Sequence, residues 1–430
     1  MDDTCKNENT HSRFYRRNQN MPDQVVDLSM LKRNMPSLLN SQGKHISSQD
    51  KYLMDGNKML WHLDRVQAWK AGEKFAPIHI DSGLSKGCNI KCHYCYGVTQ
   101  GNFYTESAKK YIDRDSLIEN YLKSAGEMGV RSIAFIGEAE PTLNPHFYEA
   151  VVAGKQAGID ISAGTNGVLF DTGRDGQAAL EHLSWLRFNI SAASDESYRK
   201  IHASKMFDTV IEKIRFCVEY KQKHNLDLDI GLQMVLTPKD IAEVVPLAKL
   251  GQELGVSYFQ VKHCSDTVEN DLGFYERLDD YEAYAPLLLQ AESHGTDDYR
   301  VVVKWDKITN GGKREYDQCL GAPFLLYTEG TGKVYTCGMF FDGKFSETFL
   351  LGDLTKQTFR QIVESDHYWK VIDRVRNEID VHKDCYANCR THSCNNFLWD
   401  TKDTGITSGT VQKYAGGFGP DTPPPHKNFV

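Results

Sequence analysis

The chain has few features of a membrane, secreted or nucleic-acid-binding protein. Its 430 residues contain no apolar run approaching about 18 residues, so the sequence predicts no membrane span. The net charge is −8, which does not indicate the broad basic surface typical of nucleic-acid binding. Arg13, Arg16 and Arg17 lie near the N-terminus. No hydrophobic segment follows them, and we therefore expect no secretion signal.

Hydrophobic residues and cysteines are well represented. The hydrophobic share of 40% is ample for a core, and 430 residues allow two to three domains. Eleven cysteines would indicate disulfides in a small secreted protein. Here most of them cluster at metal-ligand spacings in a large chain, which favours metal sites and a reducing compartment. We therefore expect a cytoplasmic protein.

Three cysteines lie within eight residues, in the segment CNIKCHYC that begins at Cys88. Four nearby thiolates would complete a tetrahedral zinc site or an iron–sulfur ligand set. Three thiolates suit a cubane cluster with one open iron that can take a chelating substrate. A zinc knuckle or a chance group of buried thiols are the alternatives. Zinc needs a fourth ligand, and His93 is constrained by its neighbours in the loop.

The segment resembles the signature of the radical S-adenosylmethionine (radical SAM) superfamily, Cys-x-x-x-Cys-x-aromatic-Cys, with Tyr94 at the aromatic position. The resemblance implies that Cys88, Cys92 and Cys95 hold a 4Fe–4S cluster. It also implies that the open iron binds the amino and carboxylate groups of SAM. Electron transfer from the cluster would then cleave SAM to a 5′-deoxyadenosyl radical, so the cofactors supply the difficult chemistry.

Strand-like and helix-like segments alternate from residue 78 to residue 262. Six predicted strands begin near residues 78, 133, 159, 186, 228 and 258, and the predicted helices are 115–128, 146–157, 177–184, 206–224 and 241–254. This alternation predicts a parallel sheet with covering helices, and a full TIM barrel or an open sheet would fit the count equally. The fold class implied by the resemblance is α/β, a partial (β/α)6 TIM-type barrel with a small C-terminal iron–sulfur domain.

We expect four regions in the chain. They are an N-terminal tail and helical cap at 1–74, the radical SAM partial barrel at 75–300, an auxiliary-cluster domain at 301–400 and a C-terminal tail at 401–430. The apolar spacing of residues 54–69 predicts the cap helix, and a partner-binding helix is the alternative. The last tail contains a stiff run of prolines, and either folding back over the barrel mouth or a free end is consistent with its sequence.

Polar side chains follow the predicted strands, at the end of the sheet where barrel enzymes carry their chemistry. Residues 137–141 resemble the family segment that binds the SAM amino group, although Ala139 replaces a glycine and restricts φ. A strand-terminal turn is the alternative for each of these positions, and Gln233 also fits a buried amide bonded to a neighbouring strand. The predicted cofactor-binding residues are Tyr94, Glu138, Ala139, Glu140, Pro141, Thr165, Asn166, Ser191 and Gln233.

The end of the sixth predicted strand contains the candidate catalytic residues Lys262, Cys264 and Asp266. Lys262 and Asp266 could hold an oxygen or an anion of the substrate. Cys264 could donate a hydrogen atom to a substrate radical, because an S–H bond is weaker than a C–H bond. The alternative for Cys264 is a buried structural thiol.

A second group of cysteines lies in the C-terminal third, and its predicted metal ligands are Cys319, Cys337, Cys385, Cys389 and Cys394. The spacing of the first two around Gly332 resembles the start of the SPASM and twitch extensions, with a hairpin between the two thiols. Five cysteines suffice for one auxiliary 4Fe–4S cluster, whereas a full SPASM extension carries two. Cys385 and Cys389 are the preferred closing pair, ahead of Cys394, and a zinc site is the alternative.

Family resemblance leaves the substrate open. The preferred hypothesis is hydrogen abstraction from a small molecule, such as a sugar, aminocyclitol or nucleotide sugar, followed by oxidation or epimerisation. The alternative is maturation of a peptide or protein, for which residues 1–70 show no winged-helix pattern. A non-catalytic, metal-stabilised scaffold fits poorly with the SAM-binding pattern. The expected partners are a small-molecule substrate and a reductant such as flavodoxin or ferredoxin, without nucleic acid or a membrane.

Overall fold

The computed structural model describes residues 56–95, 97, 104–105, 110–264, 283–310, 312–385, 388–415, 418 and 423–430. All of these residues belong to one compact unit. Asp266, a predicted catalytic residue, lies outside the described residues, as does Cys5 in the N-terminal tail. Among the described helices, none is long and apolar enough to cross a membrane.

Twelve strands are present in the described part of the chain. They are β1 (His79–Ser82), β2 (Ser85–Lys86), β3 (Lys110–Tyr111), β4 (Ser132–Phe135), β5 (Asp160–Thr165), β6 (Leu183–Asn189), β7 (Asp229–Leu236), β8 (Tyr258–His263), β9 (Arg300–Val303), β10 (Leu325–Thr328), β11 (Lys333–Tyr335) and β12 (Gly352–Asp353). Ten of them form one sheet in the order β12-β11-β10-β1-β4-β5-β6-β7-β8-β9, and β2 pairs with β3 separately.

Helices connect and cover these strands. They are α1 (Leu63–Lys70), α2 (Ser124–Glu127), α3 (Phe147–Gln156), α4 (Arg174–His182), α5 (Asp195–His202), α6 (Phe207–His224), α7 (Val244–Glu253), α8 (Ala285–Glu292), α9 (Trp305–Asn310), α10 (Phe359–Glu364), α11 (Asp366–Glu378), α12 (His392–Thr401) and α13 (Ser408–Tyr414). Each parallel strand from β4 to β8 is followed by at least one helix, as parallel pairing requires a crossover.

The predicted α/β class with a parallel sheet is confirmed. The six predicted strands correspond to β1 and β4–β8, and all neighbours among them are parallel. Two further parallel strands, β9 and β10, extend the sheet at its two ends, and β11 and β12 continue it in antiparallel pairing. No pairing closes the sheet among the described strands. The predicted domain division at residue 300 falls within β9, and that division stays a prediction.

Three local elements differ from the predicted pattern. The segment predicted as one helix at 115–128 contains a π-helical stretch, Ser116–Lys123, before α2. The cap helix predicted at 54–69 is divided into two elements in the described residues. These are a 3-10 helix, Gly56–Trp61, and α1, with His62 between them. Helix α5 was not predicted, although the capping box formed by Ser194 and Ser197 marks its beginning.

The two faces of the parallel sheet differ in polarity. Leu186, Phe188 and Leu232 belong to the large apolar core that contains the helix side chains. Side chains alternate between the two faces of a strand, so Arg187 and Gln233 lie on the opposite face. The structure therefore has a helix-covered apolar face and a second face that contains buried polar groups.

The C-terminal tail covers the amino-terminal ends of the strands. Phe429 and Val430 are fully buried. The His426 Nε2 atom lies 2.8 Å from the Asp229 carboxylate at the start of β7, and Asn428 donates a hydrogen bond to Asp160 at the start of β5. The tail is therefore not a free end, because it folds back onto the sheet. It lies at the amino-terminal ends of the strands, whereas the predicted site lies at their carboxyl ends.

Candidate active site

The loop that follows β1 and β2 contains Cys88, Cys92 and Cys95, and helix α5 holds it in place. The backbone N–H groups of Lys91 and His93 donate to the last carbonyls of α5, those of His202 and Ile201, at 3.2 and 3.1 Å. These carbonyls have no partner within the helix, so the loop satisfies them. The unpredicted helix is therefore the element that positions the cysteine loop.

The three thiols of this loop lie close enough to influence one another. Burial is the main cause that raises the pKa of Cys88 to about 12, with further contributions from the charges of Glu140 and Cys95. Burial also raises the pKa of Cys92 well above its usual value, and Cys95 and Cys88 add to this effect. Without a metal these groups are neutral thiols. A bound metal cation would lower the pKa values of these thiols, because its positive charge stabilises the thiolates.

Neighbouring side chains contact the sulfur atoms. The Nδ1 atom of His202 lies 3.0 Å from Cys92 Sγ, and Asn166 Nδ2 lies 3.6 Å from Cys88 Sγ. Asn166 also donates to the Asn89 side chain at 2.7 Å. Asn166 was predicted as a cofactor-binding residue, whereas His202 was not identified from the sequence.

The Nε2 atom of His93 is engaged by a carboxylate. Its Nε2 atom donates to the carboxylate of Asp240 at 2.8 Å, and Thr237 donates to the same oxygen at 2.6 Å. The expectation that His93 is constrained therefore holds, but its ring is held by Asp240 from another loop as well as by its chain neighbours.

Tyr94 and Ser191 form one hydrogen-bonded unit. The Ser191 hydroxyl donates to the Tyr94 hydroxyl at 3.0 Å and accepts from the backbone N–H of Val235 at 3.1 Å. Both groups are buried. The Ser191 side chain therefore fixes the aromatic ring next to the cysteine loop, and its predicted contact with SAM stays a prediction.

Glu140 joins the two predicted SAM-binding turns. Its buried carboxylate accepts from the Thr165 hydroxyl at 2.6 Å and from the Asn166 backbone N–H at 2.7 Å. Thr142 donates to it from both its backbone and its hydroxyl group. Pro141 follows Glu140 as the first residue of a short 3-10 turn. The Glu140 carboxylate is therefore fully engaged in holding these turns.

Glu138 connects the same region to the C-terminal hairpin. Its carboxylate accepts from the backbone N–H of Gly330, in the turn between β10 and β11, at 2.7 Å. Burial raises the pKa of Glu138 to about 8, despite the nearby positive charge of Lys86. A side chain at Gly330 would meet the Ser85 backbone at 2.1 Å, so this turn requires glycine. Ala139, between the two glutamates, is half-buried.

Gln233 and the predicted catalytic residues lie along the later strands. Gln233 donates to the Asn189 side chain at 2.9 Å, which matches the alternative of a buried amide bonded to a neighbouring strand. The Cys264 thiol is buried and lies 3.6 Å from the carbonyl oxygen of Tyr94. Lys262 lies in β8, two residues before Cys264. The catalytic roles of Lys262, Cys264 and Asp266 stay predictions.

The C-terminal cysteines form a second group. Burial raises the pKa of Cys319 to about 12, and Cys389 and Cys394 contribute to the increase. The pKa values of Cys337 and Cys385 are raised by burial and then by Cys389, and Cys319 also acts on both. Cys389 therefore lies within electrostatic range of the other four thiols. Cys394 differs because it also packs in the apolar cluster around α1 and α12.

All ten described cysteines are free thiols. Within the described ranges, no group of three or more Cys, His, Asp or Glu side chains is arranged to bind a single metal ion.

The family comparison decides the identity of the first cysteine group. Residues 83–250 match the family model described as the radical SAM superfamily. The match contains the cysteine loop, the Glu140 turn, Asn166 and Ser191. Residues 83–250 therefore belong to the radical SAM superfamily. Membership implies a 4Fe–4S cluster, SAM and a source of reducing electrons. The three mutually interacting thiols of Cys88, Cys92 and Cys95 fit such a cluster, because thiolates are its ligands.

Two curated relatives are similar to this chain, and the names of both describe enzymes. An "AdoMet-dependent heme synthase" of Methanosarcina barkeri is 23% identical over 345 residues, which are 74% of this chain and 92% of the relative. A "Probable GTP 3',8-cyclase" of Saccharolobus islandicus is 30% identical over 199 residues, which are 46% of this chain. The matched part spans only 60% of that cyclase.

The fold of this chain also resembles solved structures. Streptococcus suis SuiB bound to S-adenosylmethionine matches with a TM-score of 0.54 and 14% identity, over 71% of this chain and 70% of SuiB. SuiB bound to precursor peptide SuiA matches with a TM-score of 0.53, over 84% of this chain and 75% of SuiB. At this identity the similarity concerns the fold alone.

Proposed function

We propose that this radical SAM enzyme abstracts a hydrogen atom from a small-molecule substrate for oxidation or epimerisation. The substrate class we favour is a sugar, aminocyclitol or nucleotide sugar. The observation that carries this proposal is the face of the sheet opposite to the helix-covered core, which contains buried polar groups and is here called the inner face. The buried residues Phe429 and Val430 cover this face at the amino-terminal ends of the strands. A face of this kind provides convergent polar groups in an enclosed space, as small-molecule sites do.

In this proposal Cys88, Cys92 and Cys95 hold the 4Fe–4S cluster, which together with SAM supplies the 5′-deoxyadenosyl radical. The chain positions this site through three contacts described above. Helix α5 holds the loop backbone, Ser191 fixes Tyr94, and Glu140 fixes the turn that contains Asn166. Flavodoxin or ferredoxin would act as the reductant, in the cytoplasm.

We further propose that residues 301–400 form a SPASM/twitch-like domain for one auxiliary 4Fe–4S cluster, which would supply an electron acceptor for oxidation. Cys319, Cys337, Cys385 and Cys389 are the favoured ligands, because their thiols act on one another's pKa as a group. Cys394 is the reserve ligand, since it influences Cys319 but is also an apolar core residue.

Cys264 separates the two reaction types. An epimerase must return a hydrogen atom to the opposite face of the substrate radical, and a thiol near the cysteine loop suits that step. In an oxidation the substrate radical instead loses a proton and passes an electron to the auxiliary cluster, so this thiol is not needed. We expect Cys264→Ser to retain product formation within about tenfold, a barrier change near 1.4 kcal/mol. A variant that forms 5′-deoxyadenosine but no product would indicate epimerisation.

Maturation of a peptide is the second candidate, and its support is the fold shared with SuiB, whose structure contains a precursor peptide. The two curated relatives have names that describe a heme synthase and a GTP cyclase, which favours small molecules. The deciding experiment uses deuterated candidate sugars and mass spectrometry of the 5′-deoxyadenosine. Deuterium in this product from a sugar supports the proposal. Deuterium from a labelled peptide, with none from any sugar, would contradict it.

A further inference from the structure

Three polar residues on β6 and β8, the two strands on either side of β7, share the face of the sheet that contains buried polar groups. Arg187 on β6 pairs with Gly231 on β7, and Gly231 pairs with Tyr258 on β8. Residues two positions apart on a strand face the same side, so Gln260 and Lys262 lie on the face of Tyr258 and Arg187. The Arg187 Nη1 atom donates to Gln260 Oε1 at 3.3 Å, which confirms that these side chains meet.

These side chains present unused hydrogen-bond donors in a buried place. Arg187 is 6% exposed and Gln260 is 3% exposed. Neither Arg187 Nε nor Gln260 Nε2 has a hydrogen-bond partner in the described structure. Buried donors of this kind are rarely left unsatisfied in native proteins, unless a ligand or water completes them.

Around Arg187 and Lys262, positively charged side chains outnumber carboxylates among the described residues. Arg187, Lys262 and Arg390 act on one another electrostatically, and Asp81 is the carboxylate that acts on them. The Asp81 carboxylate already accepts from His79 Nε2 at 2.8 Å and lies 3.4 Å from Arg390 Nε. No carboxylate of the described residues forms an ion pair with Arg187 or Lys262. Burial lowers the pKa of Lys262 to about 8, so its ammonium group is still largely protonated at pH 7.

Burying unpaired cations is costly, and the cost is removed when a ligand brings the matching anion. We propose that Lys262, Arg187 and Gln260 bind a carboxylate or phosphate group of the substrate. This inference rests on the proposed function and narrows the substrate to an anionic small molecule. Carboxylate and phosphate share the acceptor geometry that a guanidinium and an ammonium group recognise.

The location suits a substrate anchor. Lys262 lies two residues before Cys264, whose thiol lies 3.6 Å from the carbonyl oxygen of Tyr94 in the cysteine loop. A substrate held by its anionic group at Lys262 would therefore have the rest of its atoms near that loop. The other anion that could occupy this place is the carboxylate of SAM itself, and the experiment must separate the two.

The test uses the full-length holoenzyme loaded with SAM, with inorganic phosphate and acetate as the two probes. Thermal unfolding midpoints are measured at constant ionic strength, since a ligand that binds the folded state raises the midpoint. Either probe should stabilise the wild-type protein, and the more effective probe identifies the anion class. Lys262→Met and Arg187→Met should each weaken this binding at least tenfold. Lys123→Met, on an exposed helical position, should bind like the wild type.

A second measurement guards against misfolded variants. Without probe, Lys262→Met should unfold at a higher temperature than the wild type, because it removes a half-buried charge that forms no ion pair with the described residues. If Lys262 has a purely structural role, Lys262→Met should instead unfold at a lower temperature than the wild type. The proposal is overturned if neither probe binds the wild type, or if both Met variants bind the probes with wild-type affinity. It is also overturned if Lys262→Met loses SAM affinity while probe binding is unchanged.

SAM cleavage by the dithionite-reduced wild type is measured in parallel. Probe binding that depends on Lys262, without any SAM cleavage, would refute the proposed function and leave the anion site standing. SAM cleavage without probe binding would refute the anion site alone.

Discussion

The imidazole of His202 lies between the backbone of Ser191 and the sulfur of Cys92. Its Nε2 atom accepts the Ser191 N–H at 3.0 Å, and its Nδ1 atom lies 3.0 Å from Cys92 Sγ. A backbone N–H can only donate, so Nε2 carries no proton. Burial lowers the pKa of His202 to about 3, and the neutral ring therefore carries its proton on Nδ1. His202 thus donates a hydrogen bond to Cys92.

Loss of this donor should change the reduction potential of the SAM-binding cluster. Hydrogen bonds to ligand sulfur stabilise the more negative, reduced cluster. We expect His202→Leu to shift the potential to more negative values by about 60 mV, tenfold in the equilibrium constant of a one-electron couple. His202→Asn, whose amide nitrogen can replace Nδ1, should stay closer to the wild type. The measurement is an anaerobic redox titration followed by electron paramagnetic resonance.

His224→Leu is the matched control, because His224 is exposed at the end of α6. Equal potentials in His202→Leu and His224→Leu would show that the contact with Cys92 has only a structural role.

Helix α5 and His202 show where sequence reasoning stopped. The alternation of strands and helices is a local pattern, and it predicted the parallel sheet correctly. The cysteine spacing is also a local pattern, and the family match to residues 83–250 agrees with it. The contact of His202 with Cys92 joins residues 110 positions apart, and no local pattern contains it. The capping residues Ser194 and Ser197 were the available signal for the helix, but they do not indicate what its last residue contacts.

The C-terminal tail shows the same limit. Its proline run indicates stiffness but does not reveal its destination. The contacts that place it are long-range pairs, such as His426 with Asp229 and Asn428 with Asp160. Ser191 follows the end of β6 by two residues, and its hydroxyl partners depend on the tertiary positions of Tyr94 and Val235.

Removal of the Phe429 side chain should destabilise the protein strongly. Phe429 is fully buried, and its ring packs against Trp185 and His79. We expect Phe429→Ala to lower the free energy of unfolding by about 3–5 kcal/mol, as for other buried phenylalanines. Denaturant unfolding checks this value. Val411→Ala, at an exposed position, should change it by less than about 0.5 kcal/mol. Similar stability of the two variants would contradict the packing of the tail.

His62 should make stability depend on pH. Its Nε2 atom contacts the Lys427 carbonyl at 3.0 Å, and burial lowers its pKa from 6.5 to about 4. Between these values the unfolded chain binds a proton that the folded protein does not. His62 therefore lowers the free energy of unfolding as pH falls through this window, by about 1.4 kcal/mol per pH unit.

His62→Gln keeps a donor to Lys427 but cannot titrate, so unfolding curves between pH 7 and pH 4 should show a shallower pH dependence than in the wild type. His224→Gln, at an exposed position, should keep the wild-type slope. An unchanged slope in His62→Gln would mean that His62 does not titrate with this shift.

The C-terminal cysteines should bind iron independently of the cysteine loop. We expect the double variant Cys319→Ala, Cys337→Ala to lose about four irons per chain and to keep SAM cleavage, because the two groups are separate. Elemental analysis and 5′-deoxyadenosine assays measure both. Cys217→Ala, which removes a buried thiol in α6, is the control and should keep all iron. Zinc instead of iron at this site would remove the proposed electron acceptor.

The most direct measurement concerns Cys88, Cys92 and Cys95 together. The anaerobically reconstituted wild type should contain roughly eight irons per chain, from two cubane clusters. Replacement of the three cysteines by alanine should remove about half of this iron and abolish reductive cleavage of SAM, whereas Cys217→Ala should retain both. A triple variant that still forms 5′-deoxyadenosine would contradict the assignment of this loop as the radical SAM centre.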